Sequence, residues 1–206
     1  MVKVKKILRI VSCVLSLMLV YAYLCFVFIP KDVSDWGGDK YYHAKGFIGE
    51  PDDSLDIIMF GHSGVYSGFS PVTLYKEYGY TSYASSTASQ PIKKINDLLE
   101  KAVKRQKLKV VDVDCLYVRF PLIRYYDSLF APFVFHARWK NLKPRDFYLA
   151  PGVRTQDVTK GYKFSAEISG YQPGEYMGKA DAKPAAPKKV HLSGLNRFVK
   201  ICRKND

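Results

Sequence analysis

The stretch Leu55-Asp56-Ile57-Ile58-Met59-Phe60-Gly61-His62-Ser63-Gly64 decides how this chain is read. A short apolar run such as Leu55 to Phe60 is what a strand buried on both faces shows. It stops at Gly61-His62-Ser63-Gly64, where small and polar residues suit a tight turn. Further on, Ser70-Pro71 pairs a helix N-cap with proline at the first helical position, and Gly79 closes that short helix. Thr81 to Ser85 reads as a second strand. Pro91 opens a helix with Ile92, Ile95, Leu98, Leu99, Ala102 and Val103 on one face. Lys93, Lys94, Lys101, Lys104 and Arg105 occupy the other, as on a solvated surface. Leu108 to Cys115, enriched in β-branched residues, reads as a third strand.

Strand, helix, strand, helix, strand predicts an α/β domain whose parallel strands are joined by right-handed crossovers. In an open sheet of that kind, sites form beyond the carboxyl ends of the strands. Those ends are Gly61-His62-Ser63, Ser85-Ser86-Thr87-Ala88-Ser89-Gln90 and Asp114-Cys115-Leu116-Tyr117. After Tyr117 the alternation lapses. Phe120 to Trp139 is aromatic and is expected to be helical or an insertion. Residues 143–190 are rich in proline and glycine and are expected to be a loop-rich excursion, partly disordered from Gly178 to Lys189. Ser193 to Lys204 reads as a helix with Leu195, Phe198, Val199 and Cys202 on one face. No fourth strand follows it, so the sheet is expected to be incomplete.

The N-terminus carries a different signal. Ile10 to Ile29 is roughly twenty residues without a charge, enough to span a hydrocarbon core of about 30 Å. Lys3, Lys5, Lys6 and Arg9 precede it, whereas Lys31, Lys40 and Lys45 after it are diluted by Asp32, Asp35 and Asp39. That bias predicts residues 1–9 in the cytoplasm, a transmembrane helix over 10–29, and the rest of the chain outside. The rival is a cleaved signal peptide, but the run is longer than its usual core and ends in bulky residues. Residues 30–54 hold Pro30, Gly37-Gly38, Gly46, Gly49 and Pro51 and read as a juxtamembrane linker. Its aromatics Trp36, Tyr41, Tyr42 and Phe47 would lie on the domain or at the lipid interface. Residues 55–206 are expected to form an extracytoplasmic α/β domain.

Composition narrows the function. With 48% hydrophobic and 15% aromatic residues among 206, the chain is no disordered polymer. Four scattered cysteines form neither a disulfide scaffold nor a zinc spacing, so no metal is expected. Of the formal charge of +13, residues 179–206 supply eight Lys or Arg against two Asp. Outside the cell such a basic surface would draw anionic lipid or polyanionic wall polymers rather than nucleic acid. No phosphate-binding or dinucleotide fingerprint occurs, and no cofactor is expected.

A serine directly after a buried strand, flanked by Gly61 and Gly64, is a way to expose a hydroxyl on a tight turn. The run Leu55 to Pro71, with Gly61-His62-Ser63 followed by Tyr66 and Ser70-Pro71, resembles the first block of membrane-anchored SGNH (GDSL-like) hydrolases of Gram-positive bacteria. Tyr78 to Pro91, Phe135 to Trp139 and Lys160-Gly161-Tyr162 resemble later parts of the same family, so the likeness runs from about residue 45 onward. The resemblance implies a three-layer, flavodoxin-like parallel sheet and Ser63 as nucleophile of an esterase or acyltransferase. It implies acyl esters of cell-envelope polymers as substrates, teichoic-acid-like chains among them. Oxyanion donors would come from the Gly64 amide and the loop around Ser86.

The chain also departs from that family. The late Asp-x-x-His block, source of the base and its acid partner, is absent, as is the Gly-x-Asn-Asp of the third block. The histidines are His43, His62, His136 and His191. His62 adjoins Ser63, but strand alternation would point the two to opposite faces. His136, among aromatics, reads as structural. Asp112 and Asp114 share one face of the third strand, and Asp114 would orient a polar group rather than act in catalysis. His62 and Asp114 are therefore expected to support the site. Two functions stay open: an active serine enzyme, or a non-catalytic tethered domain that binds surface glycopolymers.

Overall fold

The computed structural model describes residues 2–35, 37–114, 126–164 and 189–205. At its centre, β1 (Ile57–Gly61) pairs in parallel with β2 (Ser82–Ser86) on one side and β3 (Val110–Val113) on the other. The chain runs from β1 to one edge and then crosses back over β1 to the other. The order β2-β1-β3 therefore reverses at β1, which makes the β1/β3 border the switch point of the sheet. Two short helices, α3 (Ser63–Gly68) and α4 (Pro71–Tyr78), form the first connection, and α5 (Ile92–Ala102) forms the second.

Register assigns the faces. Ile58 pairs with Tyr83 and Val111, and Phe60 with Ser85 and Val113. On this face Ile58, Phe60 and Tyr83 are fully buried against Ile95, Leu98 and Leu99 of α5 and Phe198 of α7 (Lys189–Lys204). Burying each such side chain is worth about 1.5–3 kcal/mol. The Phe60 and Phe198 rings meet edge to face at 6.3 Å. The opposite face carries Ile57, Met59 and Gly61 and receives Val65 of α3 next to Gly61. There Ile57 and Met59 are only half-buried, while Val110 and Asp112 of β3 are exposed. So β1 is sealed on one face, where expectation had both. No helix among the described residues covers the β3 side of the second face.

The local signals match the elements closely. Ser70 Oγ accepts the Thr73 amide at 3.3 Å, Pro71 follows, and Gly79 ends α4 at φ 76°, a backbone state glycine adopts without strain. Residues 30–54, read as a linker whose aromatics lie on the domain or at the lipid interface, pack onto the domain through α2 (Gly38–Tyr42) and a 3₁₀ segment, His43–Gly49. Ala44 and Phe47 belong to the main core, and the Ala44 carbonyl accepts Ser85 Oγ–H at 2.6 Å. Turn formers set where the chain bends, but Phe47 supplies the apolar surface that makes packing favourable.

The N-terminal helix α1 (Val2–Phe28) is long and apolar enough to cross a membrane over Val4–Phe28. Its flank is exposed as far as Leu24; from Cys25 onward alternate residues are buried under the segment that follows Tyr126. That segment is built of short pieces: 3₁₀ turns at Asp127–Phe130, His136–Asn141 and Pro144–Phe147, with α6 (Ala131–Val134) between the first two. Cys25, Ile29, Ala131 and Phe135 form a second, smaller core there. Charges fasten it. Asp35 pairs with Arg145, and Asp32 accepts the Arg154 amide at 3.0 Å. Arg138 and Asp146, both buried, lie 3.1 Å apart. Lys31 is wholly enclosed; burial lowers its pKa to about 8, opposed chiefly by the charge of Asp146. Cys115, residues 116–125, and residues 165–188 of the loop-rich excursion lie outside the described residues.

Candidate active site at the switch point

The strand ends where glycine is required. A Cβ on Gly61 would sit 2.5 Å from Val65 Cγ2 and 2.8 Å from Asp114 Cβ, so only glycine lets α3 and the end of β3 close over this point. Gly61→Ala is expected to cost about 1–3 kcal/mol and to push Asp114 outward. Chemical denaturation of the full chain in detergent measures the loss.

His62 follows in extended backbone, φ −105° and ψ −157°, and acts as the N-cap of α3. Its Nδ1 accepts the Gly64 amide at 3.0 Å, and its carbonyl accepts the Val65 amide at 3.0 Å. Because His62 caps a helix rather than continuing the strand, the alternation that would separate it from Ser63 does not apply. Its Nδ1 is 3.3 Å from Ser63 Oγ. The expectation that the two side chains diverge is thus corrected by the cap geometry.

On the far side of the ring, Nε2 lies 2.7 Å from Asp114 Oδ2. A ring whose Nδ1 accepts from an amide carries its proton, when neutral, on Nε2, facing the carboxylate. Ser63, His62 and Asp114 therefore form one chain of contacts across the β1/β3 border. His62 and Asp114 are mostly buried and Ser63 is half-buried. A groove of about 400 Å³ reaches His62 and Asp114 and is lined also by Met59, Gly64, Val65, Gly68 and Phe69; Ser63 is not among its lining residues.

The two expected oxyanion donors are placed differently. The Gly64 amide is engaged by His62 Nδ1. Ser86 stands beside Gly61 in register, fully buried, and its Oγ has no hydrogen-bond partner among the described residues. The turn after it is closed by its own bonds: Thr87 Oγ1–H donates to Gln90 Oε1 at 3.0 Å, and Gln90 Nε2 donates to the Ser85 carbonyl at 3.1 Å. His136 lies apart, its Nδ1 2.9 Å from the Phe133 carbonyl. Among the described residues no three His, Cys, Asp or Glu side chains are grouped to hold a metal ion.

What sequence reasoning missed here is the role of His62. The available signal was the glycine on each side of the His62-Ser63 pair, Gly61 and Gly64, which permits a helix to start at once and turns residue 62 into a cap. No protein-family model, curated protein or solved structure matches this chain.

Proposed function

We propose that this chain is a membrane-anchored serine esterase or acyltransferase of SGNH-like type, with Ser63 as nucleophile and its domain outside the cytoplasm. Its substrates are acyl esters of cell-envelope polymers. The observation that carries the reading is the contact chain Ser63 Oγ–His62 Nδ1 at 3.3 Å and His62 Nε2–Asp114 Oδ2 at 2.7 Å. The sheet order β2-β1-β3, which is how flavodoxin-like sheets begin, supports the fold half of it. The apolar α1 behind four cations supports an anchor with its N-terminus inside.

In this reading His62 serves as the base for Ser63. Ser63 Oγ attacks the acyl carbonyl and its proton passes to Nδ1. A protonated Nδ1 no longer accepts from Gly64, so that amide becomes free to donate to the oxyanion as the oxyanion forms. Collapse expels the alcohol, which takes the proton from Nδ1–H. Water or an acceptor hydroxyl then removes the acyl group from Ser63 by the reverse steps. Asp114 holds the Nε2–H tautomer and stabilises the imidazolium.

One observation favours the non-catalytic reading: Nδ1 is closer to the Gly64 amide than to Ser63 Oγ, as in a purely structural cap. A fluorophosphonate probe on the full chain in detergent separates the two. Covalent labelling that disappears in Ser63→Ala is the expected result. A protein that unfolds cooperatively yet takes no label would refute the enzyme and leave the tethered binding domain.

A further inference from the structure

We infer that residues 127–148 form a collar that sinks into the bilayer around α1, its partner being the hydrocarbon edge of the leaflet next to the domain. This rests on the reading of α1 as a membrane anchor.

Three observations converge on it. The first is exposure. Leu129 is 59% exposed, Phe133 69%, Trp139 63%, Phe147 48% and Tyr148 75%, an accumulation of large apolar side chains that water disfavours. All belong to the segment packed on the end of α1. The second is length. The bare, uncharged part of α1 runs from Ile10 to Leu24, roughly 15 residues or about 22 Å, whereas a hydrocarbon core is about 30 Å thick. Beyond Leu24 the helix is progressively enclosed by protein, Val27 being 2% exposed. The missing thickness is made up if the collar itself is immersed.

The third is hydrogen bonding. Backbone at hydrocarbon depth must have its polar groups satisfied within the protein. Tyr21 Oη–H donates to the Leu129 carbonyl at 2.8 Å, and Tyr23 Oη–H donates to the Phe147 carbonyl at 3.3 Å. Cys25 Sγ–H shares the Leu129 carbonyl at 3.5 Å. The anchor helix thus supplies donors to the collar at the level where water would be excluded. At the collar's rim Lys140 Nζ lies 5.5 Å from the Trp139 ring, a cation–aromatic pair of the kind that settles at headgroup depth.

The chain holds two tryptophans, so Trp36→Phe leaves Trp139 as the sole reporter. The full-length variant is reconstituted into phosphatidylcholine–phosphatidylglycerol vesicles whose acyl chains are brominated near their glycerol ends. Flotation with the vesicles after an alkaline wash reports the anchor. Loss of most of the Trp139 emission, with protection from aqueous acrylamide, reports the collar. A second reporter, Phe133→Trp with Trp36→Phe and Trp139→Phe, gives the same readout from the middle of the collar. Flotation with quenching at both positions is the expected result. Flotation with full acrylamide access and no bromine quenching overturns the collar and spares the anchor. Failure to float overturns both.

Discussion

His62→Asn is expected to slow acylation of Ser63 by about 10⁴-fold or more while leaving the fold intact. The reasoning starts from the two things Nδ1 touches. It accepts the Gly64 amide as the cap of α3, and it faces Ser63 Oγ. Asparagine is a strong N-cap whose side-chain oxygen accepts an amide from the same position, so α3 keeps its first bond. It has no nitrogen that takes a proton near neutral pH, so Ser63 loses its base. It is also too short to reach Asp114. His62→Ala removes the cap as well and is expected to cost about 1 kcal/mol in addition. The measurement is the second-order rate of fluorophosphonate labelling, alongside denaturation midpoints for both variants. Wild-type labelling in His62→Asn would remove His62 from the chemistry and reduce it to a cap.

Asp146→Ala carries the largest expected effect on stability. Arg138 and Asp146 are almost completely enclosed, 3.1 Å apart, within the segment that covers the end of α1. Asp146 Oδ2 also accepts the Lys143 amide at 2.8 Å and so caps the 3₁₀ turn that bears Phe147. Removing one member of a buried pair leaves the other charge stranded, at a cost of about 3–5 kcal/mol. Lys31 adds a pH signature. Its pKa lies near 8 because burial disfavours its charge, and Asp146 is the chief group opposing that. A lysine whose folded pKa is depressed weakens the fold while protonated, and the penalty is relieved as pH rises from about 8 toward 10.4. Without Asp146 the depression deepens. The deficit of the variant relative to the wild type is therefore expected to narrow as pH rises toward about 8 from below, and to stay level above 8, where Lys31 has lost its proton in both folded proteins. Denaturant titrations at several pH values on the full chain measure this. A difference that is flat below about 8 as well would show that Lys31 does not sense Asp146.

Much of the fold was legible because its signals are local. Ser70-Pro71 and Gly79 mark α4 at both ends through hydrogen bonds spanning three or four residues. The three- and four-residue steps of Ile92 to Ala102 announce the buried face of α5, with Ile95, Leu98 and Leu99 in the core. The turn that follows β1 was legible too, since Gly61-His62-Ser63-Gly64 ends the apolar run where the strand ends. For residues 30–54 the sequence left Phe47 either on the domain or at the lipid interface, because turn-rich composition describes the path of the backbone and says little about which pocket an aromatic finds; the structure puts it in the main core.

The sequence by itself determined the elements, their alternation, the apolar helix at the N-terminus and the place of Ser63 just after β1, because periodicity and capping act over a few neighbouring residues. Only the tertiary structure decided that His62 turns toward Ser63 and meets Asp114. That meeting needs β3 to lie beside β1 across some fifty residues of chain, and it needs the space left by the absent side chain of Gly61. It is a property of strand pairing and of one missing Cβ, neither of which is written in the spacing of the residues involved.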